Sequence, residues 1–199
     1  MEAGLNEPAA LAVSEEGVLY IADQNNNRVR ALYLTTGVIK TVAGTGIAEY
    51  NGDGMAATET GLAGPSGLDF APDGTLYIAD SFNGRIRVID PETGLIRTVA
   101  GDGGEYRYQG SDESLSTSLS RPSGITLDKE GNLYVTDSDN HLVRRWDRIT
   151  GHIERVAGIG VARYGGDGGA ALEAGLSYPF GIVMDRAGHV LVADTFNHR

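Results

Sequence analysis

The sequence has 199 residues, of which 41% are hydrophobic and 22% are charged, as in an ordinary globular domain. Sixteen basic and twenty-seven acidic residues give a net charge of −11, which disfavours nucleic acid as a general partner because phosphate contacts dominate such affinities. No cysteine is present, so disulfide frameworks, thiolate nucleophiles and cysteine-bound zinc are excluded.

The chain repeats with a period of 57 residues. Proline, glycine, aspartate and asparagine all recur in this register, as do Val-Ala-Gly triplets. The repeated prolines and glycines are Pro8, Pro65, Pro122 and Pro179, and Gly17, Gly74, Gly131 and Gly188. We expect a single domain over residues 1–199, with units at about 8–64, 65–121 and 122–178 and a partial unit at 179–199.

Each unit contains four short apolar runs separated by turn sequences. In the second unit the predicted strands are, in chain order, residues 67–70, 76–79, 85–89 and 95–99. The turns between them are Pro72-Asp73-Gly74, the polar segment 80–84 and the segment from Pro91 to Gly94. Tight turns make the four strands an antiparallel meander, and their weak alternation indicates strands covered on both faces.

This pattern predicts an all-β fold, a β-propeller of four-stranded antiparallel blades. About three and a half blades are present, an open arc expected to belong to a six-bladed or similar propeller. The open blade edge favours self-association. Trp146-Asp147 does not recur in the other units, which argues against WD40 blades.

No apolar run is long enough to cross a bilayer, and the first residues lack the pattern of a signal peptide. We therefore predict no membrane span. The sequence does not indicate the cellular compartment, and a longer native product would be compatible with an extracytoplasmic location.

The units resemble NHL repeats, in the long bacterial-type form that is also recognisable in teneurin-like ectodomains. The resemblance rests on residues 76–87 and 192–199, together with the Val-Ala-Gly, Gly-Asp-Gly and Pro-x-Gly elements. It implies a propeller. It implies no single function, because the family includes RNA binders, protein-interaction modules and a lyase.

In a meander, the loop after the second strand and the connector to the next blade lie on one face, where we expect binding. The polar residues of the loop recur in every unit, so we interpret them as structural: Asp and Asn bond the backbone, and Arg pairs with the aspartate. These repeated turn residues are Asp23, Asn26, Asp80, Asn83, Arg85, Asp137, Asn140, Asp194 and Asn197.

The glycine-rich connectors around Asp53 and Asp167 suggest a calcium loop, but each supplies only one acidic side chain. The favoured interpretation is that these aspartates cap the short helical turns that follow. No metal site and no cofactor is predicted.

Departures from the repeat are candidates for binding, since aromatic and arginine side chains are enriched in binding hot spots. The second connector departs most, and aromatics also occur in its neighbours. The candidates are Tyr50, Tyr106, Arg107, Tyr108 and Tyr164. Neutral variation in an exposed loop is an equally good explanation of these departures.

Catalysis has little support in the sequence, and no catalytic residue is assigned. The four histidines lie in turns or outer segments, and Asp69 is the one carboxylate predicted on an innermost strand. We predict a non-enzymatic scaffold that binds a protein or glycan partner through its loop face. The alternative is a fragment of a lactonase-like or lyase-like propeller enzyme whose metal site lies in blades outside this chain.

Overall fold

A computed structural model describes residues 3–104, 112–113 and 115–199, with 112–113 described by backbone alone. The described chain is built from short antiparallel strands. They are β1 (Pro8–Val13), β2 (Leu19–Asp23), β3 (Arg28–Tyr33), β4 (Val38–Ala43), β5 (Met55–Ala56), β6 (Pro65–Phe70), β7 (Leu76–Asp80), β8 (Arg85–Ile89), β9 (Leu95–Ala100), β10 (Asp112–Glu113), β11 (Pro122–Leu127), β12 (Leu133–Asp137), β13 (Leu142–Trp146), β14 (His152–Ala157), β15 (Pro179–Met184) and β16 (Val190–Asp194).

The helical elements of the described residues are single 3-10 turns. Four follow the second strand of a sheet and two lie in connectors. Their bounds are Gln24–Asn26, Ala57–Glu59, Ser81–Asn83, Ser138–Asn140, Ala171–Glu173 and Thr195–Asn197. No helix in this part of the chain is long and apolar enough to cross a membrane.

The strands form four sheets, each an antiparallel meander in which neighbours in sequence are neighbours in space. Sheet 1 has the order β1-β2-β3-β4, sheet 2 β5-β9-β8-β7-β6, sheet 3 β10-β14-β13-β12-β11, and sheet 4 β15-β16. The first strands β1, β6, β11 and β15 contact one another in series and form the inner side of the arc. The predicted all-β propeller arc is confirmed.

Two sheets differ from the four-stranded blade expected from the sequence. The connector that enters sheet 2 contributes β5, whose Met55 pairs with Ile96 of β9, and the connector entering sheet 3 contributes β10 to β14 in the same way. A two-residue strand has too little periodic pattern to be detected in a sequence. These additions cover the outer edges of β9 and β14, which limits unwanted edge pairing.

The hydrophobic cores lie between consecutive sheets. Ile78 and Leu68 of sheet 2 pack against Val29 of sheet 1, and the opposite face of sheet 2 packs on Trp146 and Leu133 of sheet 3. Both faces of sheet 2 are therefore buried, which explains why its strands lack clean alternation of apolar and polar residues.

Polar contacts close to the inner side join sheet 2 to sheet 3 and sheet 3 to sheet 4. The Ser81 hydroxyl donates to the carbonyl oxygen of Pro122 at 2.6 Å, and the Ser138 hydroxyl donates to that of Pro179 at 2.6 Å. The same serine recurs because it satisfies a buried carbonyl at each junction.

Candidate functional site

Each repeated aspartate ends the second strand of its sheet with a buried carboxylate. At Asp80 this carboxylate accepts hydrogen bonds from the backbone N–H of Ala63 at 2.7 Å and from the side-chain amide of Asn83 at 2.9 Å. The Asn83 amide also donates to the carbonyl of Glu49 at 2.9 Å. Because Glu49 and Ala63 belong to the incoming connector, the cluster fastens that connector to the sheet. The loop and connector therefore share a face, as the sequence indicates.

The same arrangement recurs around the other aspartates. Each receives a backbone N–H from a residue 17 positions earlier and the amide of the asparagine three positions later. The members are Asn6, Asp23 and Asn26; Ser120, Asp137 and Asn140; and Ser177, Asp194 and Asn197.

The arginine that reaches Asp80 differs from the one predicted. It is Arg87, at 3.4 Å with both side chains fully buried. Arg85 instead donates to the carbonyl oxygens of Asn83 and Asp102, at 2.7 and 2.6 Å, and lies over the ring of Tyr50. At the corresponding position of the last unit, Arg199 does contact Asp194, at 3.0 Å.

Burial dominates the electrostatics of the clusters around Asp80 and Asp137. Desolvation raises the pKa of Asp80 to about 6, against the opposing effect of its hydrogen bonds and of Arg87. The pKa of Asp137 is raised for the same reason. These carboxylates are occupied by protein donors, so they hold the fold together and offer little to a ligand.

The connector aspartates form ion pairs, and the prediction that they cap helical turns is wrong. Asp53 accepts from Arg87 at 2.9 Å and from the Thr98 hydroxyl at 3.0 Å. Asp167 pairs with Arg199. The 3-10 turns Ala57–Glu59 and Ala171–Glu173 have no side-chain cap. A sequence cannot reveal this choice, because the arginines lie more than thirty residues away.

The predicted binding tyrosines that the structure describes lie on arginine side chains. The ring centroid of Tyr50 is 3.8 Å from the guanidinium carbon of Arg85, and that of Tyr164 is 4.2 Å from that of Arg199. Tyr164 is 65% exposed. Both residues lie on the loop face, and their role in binding stays a prediction. Tyr106, Arg107 and Tyr108 lie outside the described residues.

A groove of about 550 Å³ opens where the four inner strands begin, on the same loop face. Residues from all four sheets line it. The lining includes Gln24, Ser66, Phe82, Arg121 and Phe180. The groove lies at the ends of the inner strands, and ligand pockets often occur at the corresponding mouth of closed β-sheets. Its volume is within the usual range of ligand pockets.

Two aromatic rings and one guanidinium, those of Phe82, Phe180 and Arg121, are among the groups that line the groove. Phe82 is 67% exposed. Arg121 pairs with Asp139 at 2.8 Å and lies over the ring of Phe180 at 5.0 Å. The hydroxyl of Ser66 is engaged by the neighbouring strand, where it donates to the carbonyl of Ser123 at 3.1 Å. The groove is therefore suited to an apolar or aromatic group flanked by polar atoms.

Sequence reasoning missed Phe82, Arg121 and Phe180. Phe82 recurs as Phe196 in the last unit, and Arg121 lies at a position that differs in every unit, whereas Phe180 departs from the repeat. Phe180 occupies a position that is Ala9, Ser66 and Ser123 in the other units. Arg121 occupies the position before the repeated proline, and there its backbone is left-handed with φ of 51°. The first unit ends in a glycine, Gly64, at that position, and glycine is the residue best suited to this conformation. Glu7 and Tyr178 hold the same position with φ of 48° and 49°, so the backbone conformation does not single out Arg121.

The inner-strand carboxylate of Asp69 is also engaged by backbone donors. It accepts from the N–H of Phe70 at 2.9 Å and from that of Leu127 at 2.8 Å, so it connects β6 to β11. Burial raises its pKa. Among the residues that the structure describes, no group of three or more His, Cys, Asp or Glu side chains is placed to hold a metal ion.

The family model of the NHL repeat matches residues 5–32 and 119–146. NHL repeat-containing protein 2 of Bos taurus is 32% identical over 162 residues, which are 75% of this chain and 22% of that protein. Teneurin-1 of Mus musculus is 35% identical over 97 residues, 43% of this chain and 4% of that protein. The chain thus spans less than a quarter of the length of these relatives.

Solved structures share the architecture. A structural genomics protein of unknown function from Bacteroides thetaiotaomicron has a TM-score of 0.76 at 25% identity, with 96% of this chain and 45% of that chain covered. The catalytically inactive H270A virginiamycin B lyase from Staphylococcus aureus, solved with quinupristin, has a TM-score of 0.63 at 18% identity, covering 99% and 52%. At that identity the lyase shows a common fold alone.

Proposed function

The chain belongs to the NHL-repeat family, and we propose that it is a non-enzymatic scaffold that binds a protein partner through its loop face. The observation that carries this proposal is the groove lined by Phe82, Arg121 and Phe180. In every unit the recurring aspartate and asparagine side chains of that face are used within the fold, whereas the side chains of these three residues surround an opening.

A protein partner is favoured over a glycan by the extent of the apolar surface. Beyond the groove, the loops and connectors of the same face expose Phe196 and Tyr164 at 61% and 65%, and also Ile47 and Val161. Spread over several sheets, these side chains provide a broad contact area rather than a compact sugar subsite. Aromatic and arginine side chains are also the types that dominate the energetic centres of protein interfaces.

The proposal is tested by selecting ligands without prior assumption. The wild-type chain is probed with a displayed peptide library and, in parallel, with a glycan array. We expect the library to yield peptides with an apolar anchor residue whose binding is lost in Phe82→Ser. Recovery of glycans alone, or of peptides that bind Phe82→Ser equally well, would contradict the proposal.

The enzyme alternative makes a separate prediction for the full-length protein. A lactonase-like or lyase-like propeller would bind a divalent metal stoichiometrically and show hydrolytic or lyase turnover that a chelator abolishes. Metal-independent binding of the selected peptides supports the scaffold instead. The described residues support the alternative through fold likeness alone, since the Asp69 carboxylate is engaged by Phe70 and Leu127.

A further inference from the structure

A histidine joins sheet 3 to the chain that enters sheet 4. His141 follows the turn Ser138–Asn140 with a left-handed backbone, φ 56°, and its Nδ1 atom accepts the backbone N–H of Tyr178 at 3.2 Å. Its ring also meets the Tyr178 ring edge to face, with centroids 4.6 Å apart. Tyr178 is followed at once by β15, which carries the groove residue Phe180.

The corresponding junction between sheets 1 and 2 has the same hydrogen bond with a different acceptor. Asn27 occupies the equivalent position, and its Oδ1 accepts the backbone N–H of Gly64 at 2.9 Å. At the junction between sheets 2 and 3 the position is Gly84, which has no side chain to offer. Among the junctions that the structure describes, one such bond therefore has an acceptor that titrates and one has an acceptor that does not.

Protonation is incompatible with the His141 bond. An imidazolium carries hydrogens on both nitrogens, so Nδ1–H would face the Tyr178 N–H donor to donor. Partial burial lowers the pKa of His141, whereas the charge of Asp139 acts in the opposite direction. Asp139 is itself paired with Arg121, which lies 5.9 Å over the Tyr178 ring. Asp139, Arg121 and Tyr178 are thus the titratable groups that these contacts place beside the imidazole.

We infer that His141 is a pH-sensitive latch, which holds Tyr178 at neutral pH and releases it in mildly acidic solution. The release is local. The Ser138 hydroxyl still holds the carbonyl of Pro179 at 2.6 Å, and the Thr136 hydroxyl that of Phe180 at 2.9 Å, so β15 stays in the arc. An effect of the latch on partner binding rests on the proposed function; the latch itself does not.

Amide resonances of the unliganded protein report the latch directly. The test is a titration from pH 8 to pH 5 in which the ¹H–¹⁵N signals of Tyr178 and Gly64 are followed together with the ring signals of His141. We expect the Tyr178 amide to shift with the midpoint of His141, below 6.5, and to lose protection against hydrogen exchange there relative to Gly64. Gly64 is the internal control, because its acceptor is Asn27.

A variant supplies the second arm. His141→Asn places at this junction the residue that already forms the bond at Asn27, so the Tyr178 amide should stay protected over the whole pH range. A Tyr178 signal that does not follow His141 in the wild type would overturn the inference, as would an unchanged pH response in His141→Asn. Neither readout involves a partner, so failure of the latch and failure of the binding proposal are distinguishable.

Discussion

The Asp80 carboxylate lies 3.4 Å from the Arg87 guanidinium, and both side chains are completely withdrawn from solvent. The pair recurs at Asp137 and Arg144, at 3.3 Å. Removing two charges from water is unfavourable, and such a pair is retained only where additional hydrogen bonds satisfy it. Here the Asp80 carboxylate also accepts hydrogen bonds from the Ala63 N–H and the Asn83 side-chain amide, and Arg87 also forms an ion pair with Asp53.

Asp80→Ala should destabilise the fold by about 3 kcal/mol or more, because it leaves the buried Arg87 without a buried partner and the Ala63 N–H without an acceptor. Asp53→Ala is the matched control. It removes the partly exposed partner of the same arginine and should cost below about 1 kcal/mol. Urea unfolding followed by circular dichroism measures both. Equal costs in the two variants would refute a structural role centred on Asp80.

The raised pKa of Asp80 predicts a pH dependence of stability. Because the folded-state pKa, about 6, exceeds that of the unfolded chain, the folded state binds more protons between these values. The contribution of Asp80 is thus fully present below the unfolded pKa and is lost as pH rises through about 6. The stability of the wild type relative to Asp80→Asn should therefore fall as pH rises from 4 to 7. A difference that grows with pH over this range would contradict the assignment.

This dependence runs opposite to that of His141, whose contribution is lost as pH falls. A histidine whose pKa is lowered in the folded state stabilises the fold at pH values above its unfolded-state pKa. The pH dependences of Asp80 and His141 therefore partly cancel in the free energy of unfolding of the whole chain. Site-specific resonances are therefore the appropriate readout for His141.

Glycines on the inner strands set the separation between sheets. A Cβ on Gly67 would lie well inside van der Waals contact of the Ser123 carbonyl oxygen, and one on Gly124 would do so with that of Phe180. At Gly181, the same repeat position in sheet 4, the nearest atom is the Ala193 Cβ at 3.4 Å.

Gly67→Ala and Gly124→Ala should each lower stability by about 1–3 kcal/mol, the range for overpacking, whereas Gly181→Ala should be nearly neutral. The strand backbone accepts alanine at this position, since the first unit has Ala10 there, so the clash decides the outcome. Thermal unfolding of the three variants is the measurement. Comparable losses at all three sites would mean that close approach between sheets is not the cause.

The sequence predicts most of the fold because a fixed period places the same turn and strand residues in each unit. The sequence does not predict a contact when the side chain that makes it is distant along the chain, or when two side chains of the same type lie on the same face of the sheet. Arg85 is the direct cross-strand partner of Asp80, yet the side chain that reaches the carboxylate comes from Arg87, two residues along the same face. Spacing along the chain does not distinguish the two.

The groove shows the same limit. Phe180 is visible in the sequence as a departure from the repeat, but so are many residues that do not line the groove, and Arg121 lies at a position that differs in every unit. Only the convergence of β1, β6, β11 and β15 at one end of the arc identifies which departures meet.

The most direct test of binding through the groove is the affinity for a library-selected peptide, measured by calorimetry on wild type, Phe82→Ser and Ile149→Ser. Ile149 is 93% exposed in a hairpin turn at the opposite end of the blade, so it controls for the loss of an exposed apolar side chain. We expect at least a tenfold loss of affinity, about 1.4 kcal/mol, for Phe82→Ser and none for Ile149→Ser, with all three proteins equally stable. Unchanged affinity in Phe82→Ser, or an equal loss in Ile149→Ser, would contradict it.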